Sequence, residues 1–212
     1  MTAKIRAGSW EITTLDGGGL YLDGGAMFGS VPRVVWEGCI PPDDAHRIPL
    51  ATRLLLAKNA DENRIVVIDA GVGDKEEDAF RERFDVRLPD GEGLCPLERA
   101  VRNSGTDPDQ VTDVIITHLH FDHVGGATRL DSSGNSIPVM PNARHWVQKR
   151  NWENGLQPNP RERASYLRPN IEPLEGTDLQ LLDGPGQIMP GISVEEVDGH
   201  TTGMQTVRIE GG

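Results

Sequence analysis

Cysteine is scarce in this chain: two in 212 residues, Cys39 and Cys95. They lie far apart and in no ligand-like spacing, which argues against a disulfide framework and against a cysteine-based metal site. They read as free thiols, so a reducing, cytoplasmic location is expected. Long apolar runs are missing too. No stretch approaches the roughly 18 residues that a membrane-spanning helix needs. The opening MTAKIRAGSWEI has no apolar core of the kind a secretory signal carries, so no such signal is expected. Positive charge is in deficit, with 21 basic against 33 acidic residues and a net charge of −12. Such a surface repels phosphate backbones and anionic lipid headgroups, so neither nucleic acid nor membrane is an expected partner. Internal repeats and low-complexity linkers are lacking. The glycine groups Gly17-Gly18-Gly19 and Gly24-Gly25 have no Lys-Ser/Thr after them and read as turns rather than phosphate loops.

What is present fits one folded domain over residues 1–212. Glycine and proline are abundant, 25 and 15 residues, and imply many loops. The runs LATRLLLA (50–57) and RIVVID (64–69) are apolar and of strand length, and the polar KNADEN between them predicts a hairpin. Residues 76–84 and 96–104 predict helices, the second with Pro96 at a first-turn position and Gly105 as a stop. DVIIT (113–117) is nearly all apolar, as a strand buried on both faces must be. Residues 144–149 alternate weakly, as a strand does. Residues 158–173, carrying Arg161, Arg163 and Arg168, predict a surface helix with a solvated basic face. Strands and turns alternate again from Leu179. The order β-rich, α/β, β-rich predicts a layered α/β sandwich rather than a doubly wound sheet.

The segment that carries chemistry follows DVIIT directly: Thr117-His118-Leu119-His120-Phe121-Asp122-His123. Three of the six histidines fall within six residues. Chance places H-x-H-x-D-H in about four chains per ten thousand of this length and composition. Ligand sites of α/β proteins sit at the C-terminal ends of strands, as this segment does. On an extended backbone His118 and His120 point to the same side and can share one ion, while Asp122 and His123 can face a second. Imidazoles with a carboxylate suit Zn²⁺, and also Mn²⁺, Fe²⁺ or Co²⁺. His200, 80 residues beyond His120 in the glycine-flanked DGHTTG, is the expected third ligand of the first ion. Asp69, ending RIVVID, is placed to accept the free ring N–H of a ligating histidine. Met27 and Phe28, between glycines, are candidate pocket residues.

HLHFDH resembles the H-x-H-x-D-H signature of the metallo-β-lactamase superfamily. VVIDAG (66–71) and DGHTTG (198–203) resemble its Asp-ended strand and its Gly-His-Thr loop, in the same order. LDGGAMFGSVPR (22–33) resembles the N-terminal segment of quorum-quenching lactonases. The resemblance implies an αβ/βα four-layer sandwich with the site at one edge, between two sheets. It implies a hydrolase in which His118, His120 and His200 hold one ion and Asp122 and His123 contribute to another. Asp122 would also pass a proton to the leaving group. A small ester or lactone, N-acyl homoserine lactone first, is the implied substrate. Thioesterase and phosphotriesterase-like hydrolysis are the alternatives, as is a non-catalytic binding module. The family's bridging Asp and last His have no counterpart in Met204–Gly212, so the chain is expected to be C-terminally incomplete. Exposed strand edges then make a homodimer an expected assembly.

Overall fold

The computed structural model describes residues 4–91 and 93–211. Seven strands form the large sheet: β1 (Lys4–Ala7), β2 (Trp10–Asp23), β3 (Arg47–Asn59), β4 (Arg64–Ile68), β5 (Asp113–Ile115), β8 (Arg144–Gln148) and β9 (Asp178–Leu182). A ribbon of β6 (Thr128–Leu130) and β7 (Ser136–Pro138) is separate, and β10 (Gly186–Met189), β11 (Ile192–Glu196) and β12 (Gln205–Ile209) make a second sheet. In the large sheet β1 to β4 are antiparallel, and β3–β4 is the hairpin expected from KNADEN. From β4 through β5 and β8 to β9 the pairing is parallel.

The central strands β4 and β5 are buried on both faces, and their side-chain alternation shows how. Val67, Val114, Ile116 and Val147 point into one core, with Leu97 and Val101 of the helix Pro96–Asn103 and Trp152 of the helix Lys149–Leu156. Their neighbours Val66, Ile68 and Ile115 point into the other, against Met189 and Ile192 of the second sheet. Period-2 alternation of apolar side chains on both faces therefore builds a helix layer, the large sheet and the second sheet in that order. Each fully buried Ile, Leu or Val contributes about 1.5–3 kcal/mol over its exposed state. The β5 strand ends where these layers meet, and the histidine segment begins there.

Residues 158–173 differ from expectation. In place of one surface helix they form a 3₁₀ turn (Arg163–Ser165), a short helix (Arg168–Ile171) and a further 3₁₀ turn (Glu172–Gly176). Pro158, Pro160, Pro169 and Pro173 remove amide donors that a continuous helix would need, so only short helical turns with Pro169 and Pro173 in their first turns form. The broken path buries Tyr166, Asn170 and Ile171, while the three arginines stay exposed.

His145, buried on β8, donates from its Nδ1 to the Ala143 carbonyl at 3.0 Å. Burial pushes its pKa down to about 4. The unfolded chain therefore binds a proton between the ordinary histidine value and about 4 that the folded chain refuses. Stability should fall as pH drops through that window, by about 3 kcal/mol at its end. His145→Gln should flatten this part of the profile in urea unfolding from pH 7 to 4. Identical slopes for the two proteins would show that His145 is protonated in place.

Candidate metal centre

The chain leaves β5 at Ile115, bends at Thr117 and reaches His118. It turns at the short helix Phe121–Val124, whose N-cap is His120. His118 and His120 are buried, whereas His200 approaches from an exposed loop between β11 and β12. The ring centroids are 4.6 Å apart for His118–His120, 4.9 Å for His118–His200 and 4.8 Å for His120–His200. One ring nitrogen from each lies within 4.8 Å of those of the other two, a group able to hold a metal ion.

Two observations test the fit. His118 Nε2 and His120 Nε2 are buried without a hydrogen-bond partner. Nitrogens left in that state cost stability unless something binds them. His120 Nδ1 lies 3.1 Å from His200 Nε2. Two nitrogens on a tetrahedral zinc sit about 3.3 Å apart, so this edge has close to the right length, and His120 would ligate through Nδ1, with His118 Nε2 and His200 Nε2. The two buried rings are held neutral as well. Burial, then the neighbouring His123, His120 and His200, pushes His118 far below the ordinary histidine range. Burial and then His200 push His120 down to about 4. Metal ligation requires unprotonated rings of this kind.

His123 is held differently. Its ring stands 4.0 Å from that of His118, and its Nδ1 is 2.8 Å from Asp69 Oδ2. Burial works against its charge. The hydrogen bond that His123 donates to Asp69 and the charges of Asp69 and Asp122 outweigh burial and raise its pKa. Asp69 occupies a left-handed backbone conformation (φ 60°) just past β4. Its Oδ1 accepts the Thr117 amide at 2.8 Å and its Oδ2 accepts the Thr117 hydroxyl at 3.0 Å. The carboxylate thus ties the end of β4 to the start of the histidine segment. An acceptor at Nδ1 places that ring's proton there and leaves Nε2 as the free lone pair. Asp122 Oδ2 lies 3.6 Å from this Nε2. Asp69→Asn keeps the shape and weakens the acceptor. It should lower Zn²⁺ affinity by about 10- to 100-fold, measured by competition with a chromogenic chelator. An unchanged affinity would reduce Asp69 to a strand-end brace.

The structure does not bring Met27 and Phe28 to this cluster. They sit on the short helix Gly24–Phe28, Met27 is exposed, and Phe28 stacks on Trp36 at 5.2 Å. The concavity beside the histidines, about 390 Å³, is lined instead by Leu55, Ile68, His118, His123, Met204 and Val207 among others. Thr117, Asn151, Tyr166 and Gln205 also serve the site and were not anticipated. Gln205 donates to the Ile116 carbonyl at 2.8 Å and fastens β12 beside the end of β5. The Tyr166 ring packs edge-on to His120 at 4.8 Å, and its hydroxyl bonds Thr201. Only Thr117, adjacent to the motif, had a local signal.

The family model of the metallo-beta-lactamase superfamily matches residues 54–212. Among curated proteins, the N-acyl homoserine lactonase AiiA of Bacillus thuringiensis subsp. kurstaki is 27% identical over 110 residues. The match covers 52% of this chain and 37% of that protein. Among solved structures, a probable metal-dependent hydrolase from Staphylococcus aureus is 31% identical with a TM-score of 0.85. The alignment covers 98% of this chain and 71% of that one. AidC, a dizinc quorum-quenching lactonase, shares the fold at 20% identity and a TM-score of 0.72, over 100% of this chain and 71% of its own.

Proposed function

Since the chain belongs to the metallo-beta-lactamase superfamily, we propose that it hydrolyses a small ester or lactone, N-acyl homoserine lactone first, at a centre built on His118, His120 and His200. The reading rests above all on the buried, partnerless His118 Nε2 together with the 3.1 Å pair of His120 Nδ1 and His200 Nε2. The N-acyl homoserine lactonase named above favours a lactone over the other esters.

His118, His120 and His200 would hold the first ion, and Asp122 and His123 would contribute to a second. Zn²⁺ is the first candidate, with Mn²⁺, Fe²⁺ and Co²⁺ behind it. Such an ion supplies hydroxide at neutral pH and polarises the carbonyl to be attacked. The chain's own groups do the rest. Asp69 fixes the His123 ring. Leu55, Ile68 and Val207 give the adjoining concavity an apolar wall for an acyl group. Asp122 stands beside His123 at the solvent edge, where it can pass a proton to the leaving alkoxide. Addition of water to the lactone then yields the hydroxy acid.

The test offers N-acyl homoserine lactones to the Zn²⁺-loaded protein and follows acid release. Ring opening that a chelator abolishes and Zn²⁺ restores is expected. Metal-loaded protein that spares lactones but cleaves thioesters or phosphotriesters would overturn the substrate assignment and keep the centre. No helix among the described residues is long and apolar enough to cross a membrane.

A further inference from the structure

We propose that Asn151 is a positioning residue that sets the distance between the two histidine-bearing loops, an inference that rests on the proposed metal centre. Asn151 lies in the first turn of the helix Lys149–Leu156 and is completely buried. An asparagine at such a position, beside Trp152, Leu119 and Ile171, is costly unless both ends of its amide are satisfied. They are satisfied by the two loops. Its Oδ1 accepts the Leu119 amide at 2.9 Å, the residue between His118 and His120. Its Nδ2 donates to the Thr202 carbonyl at 2.7 Å, two residues past His200. One planar amide thus spans segments that are 80 residues apart and that carry all three rings.

The surroundings make the same connection. Gly203 (φ 68°) lies so close to the Asn151 amide nitrogen that an added Cβ would stand 2.6 Å from it. Arg150 pairs with Asp198 at 3.1 Å, and Asp198 Oδ1 accepts the Gly203 amide at 2.8 Å. Gly155, one turn on, lets Leu119 pack directly on the helix. The first turn of this helix is therefore a common platform for both loops. The two rings meet at 3.1 Å, His120 Nδ1 to His200 Nε2, and the Asn151 amide braces that contact from below. A leucine of similar size would suit the apolar surroundings better. The amide is explained by what it spans.

Two variants separate positioning from general support. Asn151→Leu removes both bonds to the loops, and with them the 3.5 Å bond from Nδ2 to the Tyr166 hydroxyl. Asn151→Asp keeps an acceptor for Leu119 but sets an oxygen against the Thr202 carbonyl, so of the two loop bonds it disturbs the one on the His200 side, while the Tyr166 hydroxyl can donate to the new carboxylate. Zn²⁺ affinity by chelator competition should fall about 10- to 100-fold in Asn151→Leu and by less in Asn151→Asp. The Co²⁺ absorption should lose tetrahedral character in both. Asn170→Leu, which replaces another fully buried asparagine whose side chain has no partner, should leave affinity unchanged. Wild-type affinity and a wild-type Co²⁺ spectrum in Asn151→Leu would overturn the proposal. If the wild-type protein takes up neither ion, the metal centre fails instead, and amide exchange of the metal-free proteins decides the clamp alone. Asn151→Asp should then speed exchange at Gly203 and spare Leu119, while Asn151→Leu speeds both. Unchanged exchange at both amides would overturn it.

Discussion

Replacing His118 by leucine should abolish metal binding while leaving the metal-free fold as stable as before or slightly more so. The two halves of this expectation have different causes. Removing a partner that only orients a ligand costs about 10- to 100-fold in affinity, so losing one of three ligands should cost more than 100-fold. Lactone hydrolysis should fall with occupancy. Stability should not fall, because His118 Nε2 is buried with nothing to bond. An unmet polar atom of this kind costs about 1–3 kcal/mol, which leucine does not incur. Leucine does give up the 3.1 Å contact between His118 Nδ1 and the Thr117 hydroxyl, and that hydroxyl keeps Asp69. The measurement is thermal unfolding with and without chelator, together with Zn²⁺ titration. In wild type the chelator should lower Tm, because an ion that binds only the folded state stabilises it. In His118→Leu it should change nothing. A variant that binds Zn²⁺ as tightly as wild type would remove His118 from the centre.

Gly126→Ala should destabilise the protein by about 3 kcal/mol, the upper end of the usual overpacking range. The Ala70–Gly73 stretch crosses Gly125 and Gly126 backbone to backbone. Gly126 donates its amide to the Gly71 carbonyl at 2.8 Å, and Ala70 donates to the His123 carbonyl at 2.7 Å. A Cβ on Gly126 would stand closer than 3.0 Å to the Ala70 carbonyl oxygen, which is backbone and has no rotamer into which to retreat. Relief requires moving the turn that carries Asp69 on one side or His123 on the other. For a domain of this size the penalty corresponds to a Tm drop of roughly 6–12 °C. Zn²⁺ affinity should fall with it, since the Asp69–His123 bond spans the same crossing. An unchanged Tm would mean that the two turns are not packed as described.

Much of this was legible in the sequence because it is local. The motif H-x-H-x-D-H, the apolar strand before it and the hairpin 50–69 each lie within a short window, where periodicity and ligand spacing speak for themselves. The Asp69 contact was expected with some ligating histidine, and His123 is the ring it meets. The long-range parts were silent. Asn151 and Tyr166 look like ordinary polar residues until the helix Lys149–Leu156 and the turns after it are folded against the loops. Gln205 acquires its role only once β12 lies beside the end of β5. Met27 and Phe28 were singled out by likeness of a short segment. Neither has a structural tie to the histidines, and Phe28 has found Trp36 instead. The break-up of 158–173 was encoded in its prolines, which outweigh a helical composition.

The most direct test of the account is the metal content of the protein purified without added metal or chelator, by elemental analysis, before and after dialysis against Zn²⁺. The account predicts at least one first-row divalent ion per chain, retained through gel filtration in wild type and lost in His118→Leu. Trace metal only, even after dialysis, in a protein folded by circular dichroism would contradict it: His118, His120 and His200 would then form a cluster that holds no ion.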